Sequence, residues 1–270
     1  MLPDISFLGK TISLYTVMAV IGILAVFVFQ QRYTKKKGHD EIFMLYILLF
    51  GAIGVFIGGH ILYAITMYKY IIAFFKNITS ITSFKEFMDW MTSIFGGSVF
   101  YGGLFGGLIY SYLYMRRKKI DLDPYIGIGA LCIPLFHFFG RIGCFLSGCC
   151  YGVESTFGFD LIHSHAPGCA GVTRFPVQLL EATVNLLIFN TLFVLFHRKK
   201  IKGKTTFVLY MFLYASARFY IETLRGDTYR GYVGNLSTSQ LISACILIGL
   251  LVYEFIKPKI DRKKTIAFLQ

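Results

Sequence analysis

The sequence predicts an all-α, polytopic membrane protein with seven transmembrane helices, its N-terminus outside and its C-terminus in the cytoplasm. Composition is the first observation behind this. Of 270 residues 56% are hydrophobic and only 15% charged, whereas soluble domains carry about a quarter charged residues. Hydropathy patterning is the second. Seven apolar stretches, 13–30, 43–65, 98–115, 124–146, 177–196, 205–224 and 240–256, each approach the ~20 residues that a helix needs to cross a bilayer. Charge placement is the third. Arg32, Lys35, Lys36 and Lys37 follow the first stretch; Arg116, Arg117, Lys118 and Lys119 follow the third. Arg198, Lys199, Lys200, Lys202 and Lys204 follow the fifth; Lys257, Lys259, Arg262, Lys263 and Lys264 follow the seventh. Basic residues concentrate on the cytoplasmic side of membrane proteins, so this alternation sets the orientation.

Helices are the expected spanning form because lipid offers no partner to backbone polar groups. The first stretch lacks a basic segment before it and a cleavage-like site after it, which argues against a removable signal peptide. The net charge of +13 is split among short loops facing anionic headgroups, which excludes nucleic acid as a partner class. No repeat divides the chain, and residues 1–270 read as a single integral membrane domain. Two connections on the outer face are long, about 66–97 and 147–176. The first mixes aromatics with sparse charge, as a segment lying among headgroups or a packed loop would. The third span opens with GGSVFYGGLFGG. Gly102 with Gly106, and Gly103 with Gly107, leave small helix faces suited to close helix contact, and bare backbone there leaves room for a substrate beside Tyr101.

The orientation places the unusual residues at one depth. Tyr15 on span one, Gly58, Gly59, His60 and Tyr63 on span two, and Tyr101 on span three all fall near the outer face. So do His137, Arg141 and Cys144 on span four, and Arg218, Glu222 and Arg225 on span six. Each of the last two sets follows i, i+4, i+7 and shares one helix face. An arginine within a span costs at least ~2.5 kcal/mol at the helix centre. A bland account is available for each: Arg141 snorkels to the interface, and Arg218 pairs with Glu222 one turn on. The functional account is that guanidinium groups at one depth grip a phosphate through paired hydrogen bonds, and at a lipid face that phosphate is a phospholipid headgroup.

The cysteines stay open. Cys132 and Cys245 lie in spans, as packing residues do. Cys144, Cys149, Cys150 and Cys169 lie at or beyond the outer face, with His163 and His165 in the same loop. A disulfide, a metal site and a reactive thiol are all compatible with that setting, although the spacings follow no standard zinc pattern.

Read in order, these blocks resemble the prolipoprotein diacylglyceryl transferase family over nearly the whole chain. GRIGCFLSGCCYG, from Gly140 to Gly152, matches the family signature built on a glycine–arginine pair and a closing glycine. LYTVMAVIG with Tyr15, GGHILYAI from Gly58 and GGSVFYGGLFGG precede it. RFPVQLLEA with Pro176, Gln178 and Glu181, YASARFYIETLR and STSQL with Gln240 follow it. The resemblance implies a multi-pass enzyme of the bacterial cytoplasmic membrane. Such an enzyme moves diacylglyceryl from phosphatidylglycerol to the lipobox cysteine of a preprolipoprotein and releases glycerol-1-phosphate, with no metal or organic cofactor. It further implies that Arg141 and Arg218 contact the phosphate, that Glu222 orients Arg218, and that Tyr15 lines the headgroup site. Arg225, Cys144, Gly140, Gly152, Gln178, His60 and His137 join the expected substrate site. The family usually places histidine where Tyr101 stands, asparagine where Cys144 stands and an acidic residue where Cys149 stands. Tyr101, His60 and His137 are then the candidate bases. Two other readings share the same lipid pocket: an enzyme with a different acceptor, and a lipid-binding protein without catalysis.

Overall fold

The computed structural model describes residues 5–7, 10–117, 120–160, 171–227 and 231–269, and leaves out the side chains of 5–7, 10–11, 100–101, 233 and 256–269. The chain begins with a short hairpin of β1 (Ile5–Phe7) and β2 (Lys10–Ile12). Helices α1 (Leu14–Lys36), α2 (Glu41–Thr66), α3 (Tyr68–Asn77), α4 (Phe84–Phe95), α5 (Phe100–Arg116) and α6 (Asp123–Ser147) come next. A second hairpin, β3 (Glu154–Asp160) with β4 (Thr173–Arg174), precedes α7 (Val177–His197) and α8 (Gly203–Ile221). After a 3₁₀ turn at Glu222–Leu224, the hairpin of β5 (Tyr232–Val233) and β6 (Leu236–Ser237) leads into α9 (Thr238–Leu269).

Five of these helices are long and apolar enough to cross a membrane: α1, α2, α6, α7 and the Thr238–Phe255 part of α9. Large apolar side chains such as Ile23, Phe56, Leu187 and Ile248 stand exposed on them, as lipid-facing surfaces require. The chain is therefore a predominantly helical, polytopic membrane protein. The two other expected spans also fold as helices. α5 has 17 residues and α8 has 19, and Lys204, Arg218 and several tyrosines dilute the apolarity of α8. The all-α expectation misses the three hairpins, in which every strand but β3 is only two or three residues long, too short to show an alternating pattern.

Residues 1–30 with 123–270 form one compact unit, and residues 31–122 form another. In the second unit, α2 starts on an Asp40 cap whose Oδ1 accepts from the Ile42 and Phe43 amides, both at 2.9 Å. α2 and α5 then pack backbone to backbone. A side chain at Gly54 would strike the Gly106 carbonyl, and one at Gly58 would strike that of Gly102. The small faces expected on α5 thus have small faces opposite them. The long connection after α2 folds into α3 and α4, which close on Ala64, Phe74 and Ile94. Both helices leave an aromatic face exposed at Phe75, Phe84 and Phe87.

In the first unit, α6, α7 and α8 form the core, with Leu131, Ile188, Leu192 and Tyr210 buried together. Asp123, at the start of α6, accepts from the Gly203 amide at 2.6 Å and the Lys204 amide at 3.0 Å. This carboxylate fills the role of an N-cap for α8. It ties the starts of α6 and α8 together, so both helices run toward the same end of the bundle and α7 begins there. α1 joins them through Gly143, where a side chain would press on Met18 and Tyr15.

Candidate active site

The end of the bundle where α6 and α8 finish and α7 starts holds most of the expected residues. At its centre is Glu181, in the second turn of α7, with a side chain 3% exposed. Its Oε1 forms an ion pair with Arg141 Nη2 at 2.9 Å, and its Oε2 accepts from Arg218 Nη1 at 3.0 Å. Helix periodicity explains why these groups meet. Gln178, Glu181 and Asn185 fall on one buried face of α7, against the His137–Arg141–Cys144 face of α6 and the end of α8. His137 Nε2 lies 3.8 Å from Glu181 Oε1, and its ring sits 5.2 Å from that of Tyr214. Asn185 Nδ2 donates to the Glu181 carbonyl at 2.8 Å, holding that turn.

Arg218 is fixed from three sides. Besides Glu181, its Nη2 reaches Glu222 Oε2 at 2.7 Å and donates to Ser239 Oγ on α9 at 3.3 Å. The expected pairing with Glu222 is present, but Glu181 adds a second carboxylate. Arg225 forms a two-pronged pair with Asp227, Nε to Oδ1 at 2.9 Å and Nη2 to Oδ2 at 2.6 Å. The three cations thus stand against three carboxylates, so each guanidinium is held in place and its burial is offset. One donor is left over. Arg141 Nε is buried and has no hydrogen-bond acceptor among the described residues.

The chain after α6 shapes the other wall. Gly148, with φ of 69°, ends the helix in a left-handed turn. The Gly148 amide donates to the Phe145 carbonyl at 3.2 Å and the Cys149 amide to the Cys144 carbonyl at 3.1 Å. That pair of bonds is a Schellman reversal. It folds Cys149 back beneath Cys144, and Gln178 Nε2 secures the Cys149 carbonyl at 2.9 Å. Cys150 also takes a positive φ, 56°, which is uncommon for a residue with a side chain. Gly152 then pairs with Arg225, and the Gly226 amide donates to the Tyr151 carbonyl at 3.0 Å. Any side chain at Gly152 would run into the Phe175 carbonyl.

These turns gather the Sγ atoms of Cys144, Cys149 and Cys150 within 4.8 Å of one another, although their spacing follows no standard zinc pattern. None of the three is joined in a disulfide in this structure. Hydrogen bonds from the Cys144 and Cys149 thiols hold the Cys150 pKa down, and Arg225 and Arg141 act in the same direction. Arg141 Nη1 lies 3.9 Å from Cys144 Sγ. The guanidinium cluster and the thiol cluster therefore share a wall.

The other expected residues are placed as follows. The Tyr15 amide donates to Ser147 Oγ at 2.9 Å, tying α1 to the end of α6, and its ring is half exposed. Gly140 faces open space. His60 belongs to the second unit, where its Nδ1 donates to the Phe95 carbonyl at 2.7 Å and its ring packs edge-on to Phe56. Tyr101 opens α5, with its side chain outside the described residues, as are His163, His165 and Cys169. Sequence reasoning named Glu181 only within a matching block, and missed Asp227 and Ser239. The available signal for Glu181 was electrostatic. Two arginines inside apolar helices require a counter-charge, and Glu181 is one of three carboxylates in the apolar stretches, with Glu222 and Glu254.

Comparison with known proteins points the same way. A family profile described as prolipoprotein diacylglyceryl transferase matches residues 4–256. A phosphatidylglycerol–prolipoprotein diacylglyceryl transferase of Clostridium tetani is 33% identical over 249 residues, covering 91% of this chain and 94% of that protein. One from Clostridium perfringens is 36% identical over 262 residues, covering 95% of each. One from Finegoldia magna is 28% identical over 250 residues and covers 92% of each.

Proposed function

We infer the reaction from two premises: the chain belongs to the prolipoprotein diacylglyceryl transferase family, and its buried arginines are braced as that reaction needs. The protein is a transferase of lipoprotein biosynthesis that moves diacylglyceryl from phosphatidylglycerol to a prolipoprotein thiol. The finer reading is that the donor enters from the outer leaflet of the bacterial cytoplasmic membrane. The acceptor is the lipobox cysteine, and seven spans leave the N-terminus outside and the C-terminus in the cytoplasm.

The observation that carries the site assignment is the carboxylate-braced pair of Arg141 and Arg218, with Arg141 Nε buried and without an acceptor. The acceptor sulfur attacks the glyceryl carbon, the carbon–oxygen bond to the phosphate breaks, and the electron pair leaves on the phosphate oxygen. Charge grows on that oxygen in the transition state. A cation already held in position stabilises it without reorganising. Glu181 performs the holding, and it leaves Arg141 Nε without an acceptor. Arg225, joined to Gly152 by the short ladder, completes the positive wall. Gln178 acts one step removed by fixing the loop that carries Cys149.

The test is a transfer assay with purified protein, phosphatidylglycerol and a lipobox peptide in detergent. Diacylglyceryl-peptide is expected from the wild type. Arg141→Lys is expected to abolish it while the protein still inserts, because a lysine cannot make the paired, planar contacts of a guanidinium. Normal activity in Arg141→Lys would overturn the role assigned to Arg141.

A further inference from the structure

We propose that Cys144, Cys149 and Cys150 form a three-thiolate site for one thiophilic divalent cation of the zinc class. This site does not depend on the transferase reading above.

The geometry comes first. Zinc–sulfur bonds are about 2.3 Å, so thiolates on one tetrahedral ion sit about 3.8 Å apart. The three Sγ atoms already lie within 4.8 Å of one another, and binding needs them to draw in by about 1 Å. Two features build this arrangement. The Schellman reversal at Gly148 returns Cys149 to Cys144. Cys150 then adopts a left-handed backbone, with φ of 56°, that brings it to the same point. Such a conformation costs of order 1–3 kcal/mol and persists where its surroundings over-determine it. The ladder from Gly152 to Arg225 and the bond from Gln178 to the Cys149 carbonyl supply that constraint.

Three thiolates and one divalent ion sum to a single negative charge, and the Arg141 guanidinium, also paired with Glu181, lies 3.9 Å from Cys144 Sγ.

The described residues supply three thiolate ligands, the number that even a zinc site with an open position takes from protein.

The experiment is a cobalt(II) titration of the full-length, reduced, metal-free protein in detergent, followed by absorption spectroscopy. One ion per chain is expected, with thiolate-to-cobalt charge-transfer bands and the visible bands of a tetrahedral ion. Cys149→Ser and Cys150→Ser should each weaken binding at least about tenfold, while Cys245→Ser should leave the titration unchanged. Absence of the charge-transfer bands in the wild type would overturn the proposal, and that result does not depend on any variant folding. A disulfide among the three cysteines in protein isolated from membranes would overturn it as well. Cobalt bands without any diacylglyceryl-peptide product would leave this inference standing and sink the transferase reading.

Discussion

A single carboxylate, Glu181, holds two guanidinium groups from two different helices. Removing one member of a buried ion pair leaves the other uncompensated, typically at a cost of about 3–5 kcal/mol. Glu181→Ala should therefore destabilise the protein strongly. Glu181→Gln is the more informative change, since it keeps the shape and an acceptor oxygen while removing the charge. Misplacing a reacting group by about 1 Å can cost a hundredfold in rate. The Glu181→Gln variant is accordingly expected to lose about a hundredfold in turnover, with Glu181→Asp recovering part of it. Transfer kinetics of purified variants with matched thermal midpoints would check this; an unchanged turnover number would show that Glu181 does not position the arginines. Arg225 is held separately by Asp227, so Asp227→Asn should lower turnover less than Glu181→Gln does in the same assay.

Between helices, packing is decided by residues that have no side chain. Gly54 and Gly58 on α2 lie against Gly106 and Gly102 on α5 so closely that each would-be side chain meets a carbonyl. Nothing in that contact can yield, because backbone and not a flexible side chain lies opposite. Overpacking a tight interface costs about 1–3 kcal/mol, and a branched residue here sits at the upper end. Gly106→Ile is expected to lower the thermal midpoint in detergent, whereas Gly249→Ala, at a position with open space around it, should leave it unchanged. Equal midpoints for Gly106→Ile and wild type would mean that the two helices do not depend on this contact. The Schellman turn after α6 is another element-scale device. Gly148 needs its positive φ, so Gly148→Val should displace Cys149 from Cys144 and reduce labelling of that pair by a bifunctional thiol reagent.

Across the whole molecule, charge distribution sets orientation. The basic segments after α1, α5, α7 and the apolar part of α9 alternate with connections that carry few cations. Each cation near an anionic surface contributes about 1 kcal/mol, so the summed bias is large. A fluorescent protein fused to the C-terminus should fluoresce in the cytoplasm, and a phosphatase fused after residue 97 should be active outside. The opposite pattern would reverse the proposed topology and move the site to the inner leaflet. The site's neutral balance of three arginines against three carboxylates also fits its location at the end of an apolar bundle. An uncompensated cation there would be costly, and a compensated one keeps its field for a ligand that brings its own charge.

Length, hydropathy and charge alternation were enough to read the membrane class, the helix positions and the residues clustered on α6 and α8. Those features are written in local periodicity: a span is about 20 apolar residues, and a helix face repeats at i, i+4, i+7. The order of short blocks was enough to identify the family. Three things were decided by tertiary structure alone. Glu181 became the shared counter-ion because α7 starts where α6 and α8 end, a contact between segments about 40 residues apart. Cys144, Cys149 and Cys150 converge because a helix-terminating glycine reverses the chain and a left-handed cysteine follows it, which their spacing does not reveal. His60 took a place in the α2–α5 unit, hydrogen-bonded to the Phe95 carbonyl, although its expected depth matched that of the arginines. Depth follows from counting residues along a helix, whereas neighbours across helices depend on how each helix is rotated about its axis. That rotation is set by packing, which no single segment encodes.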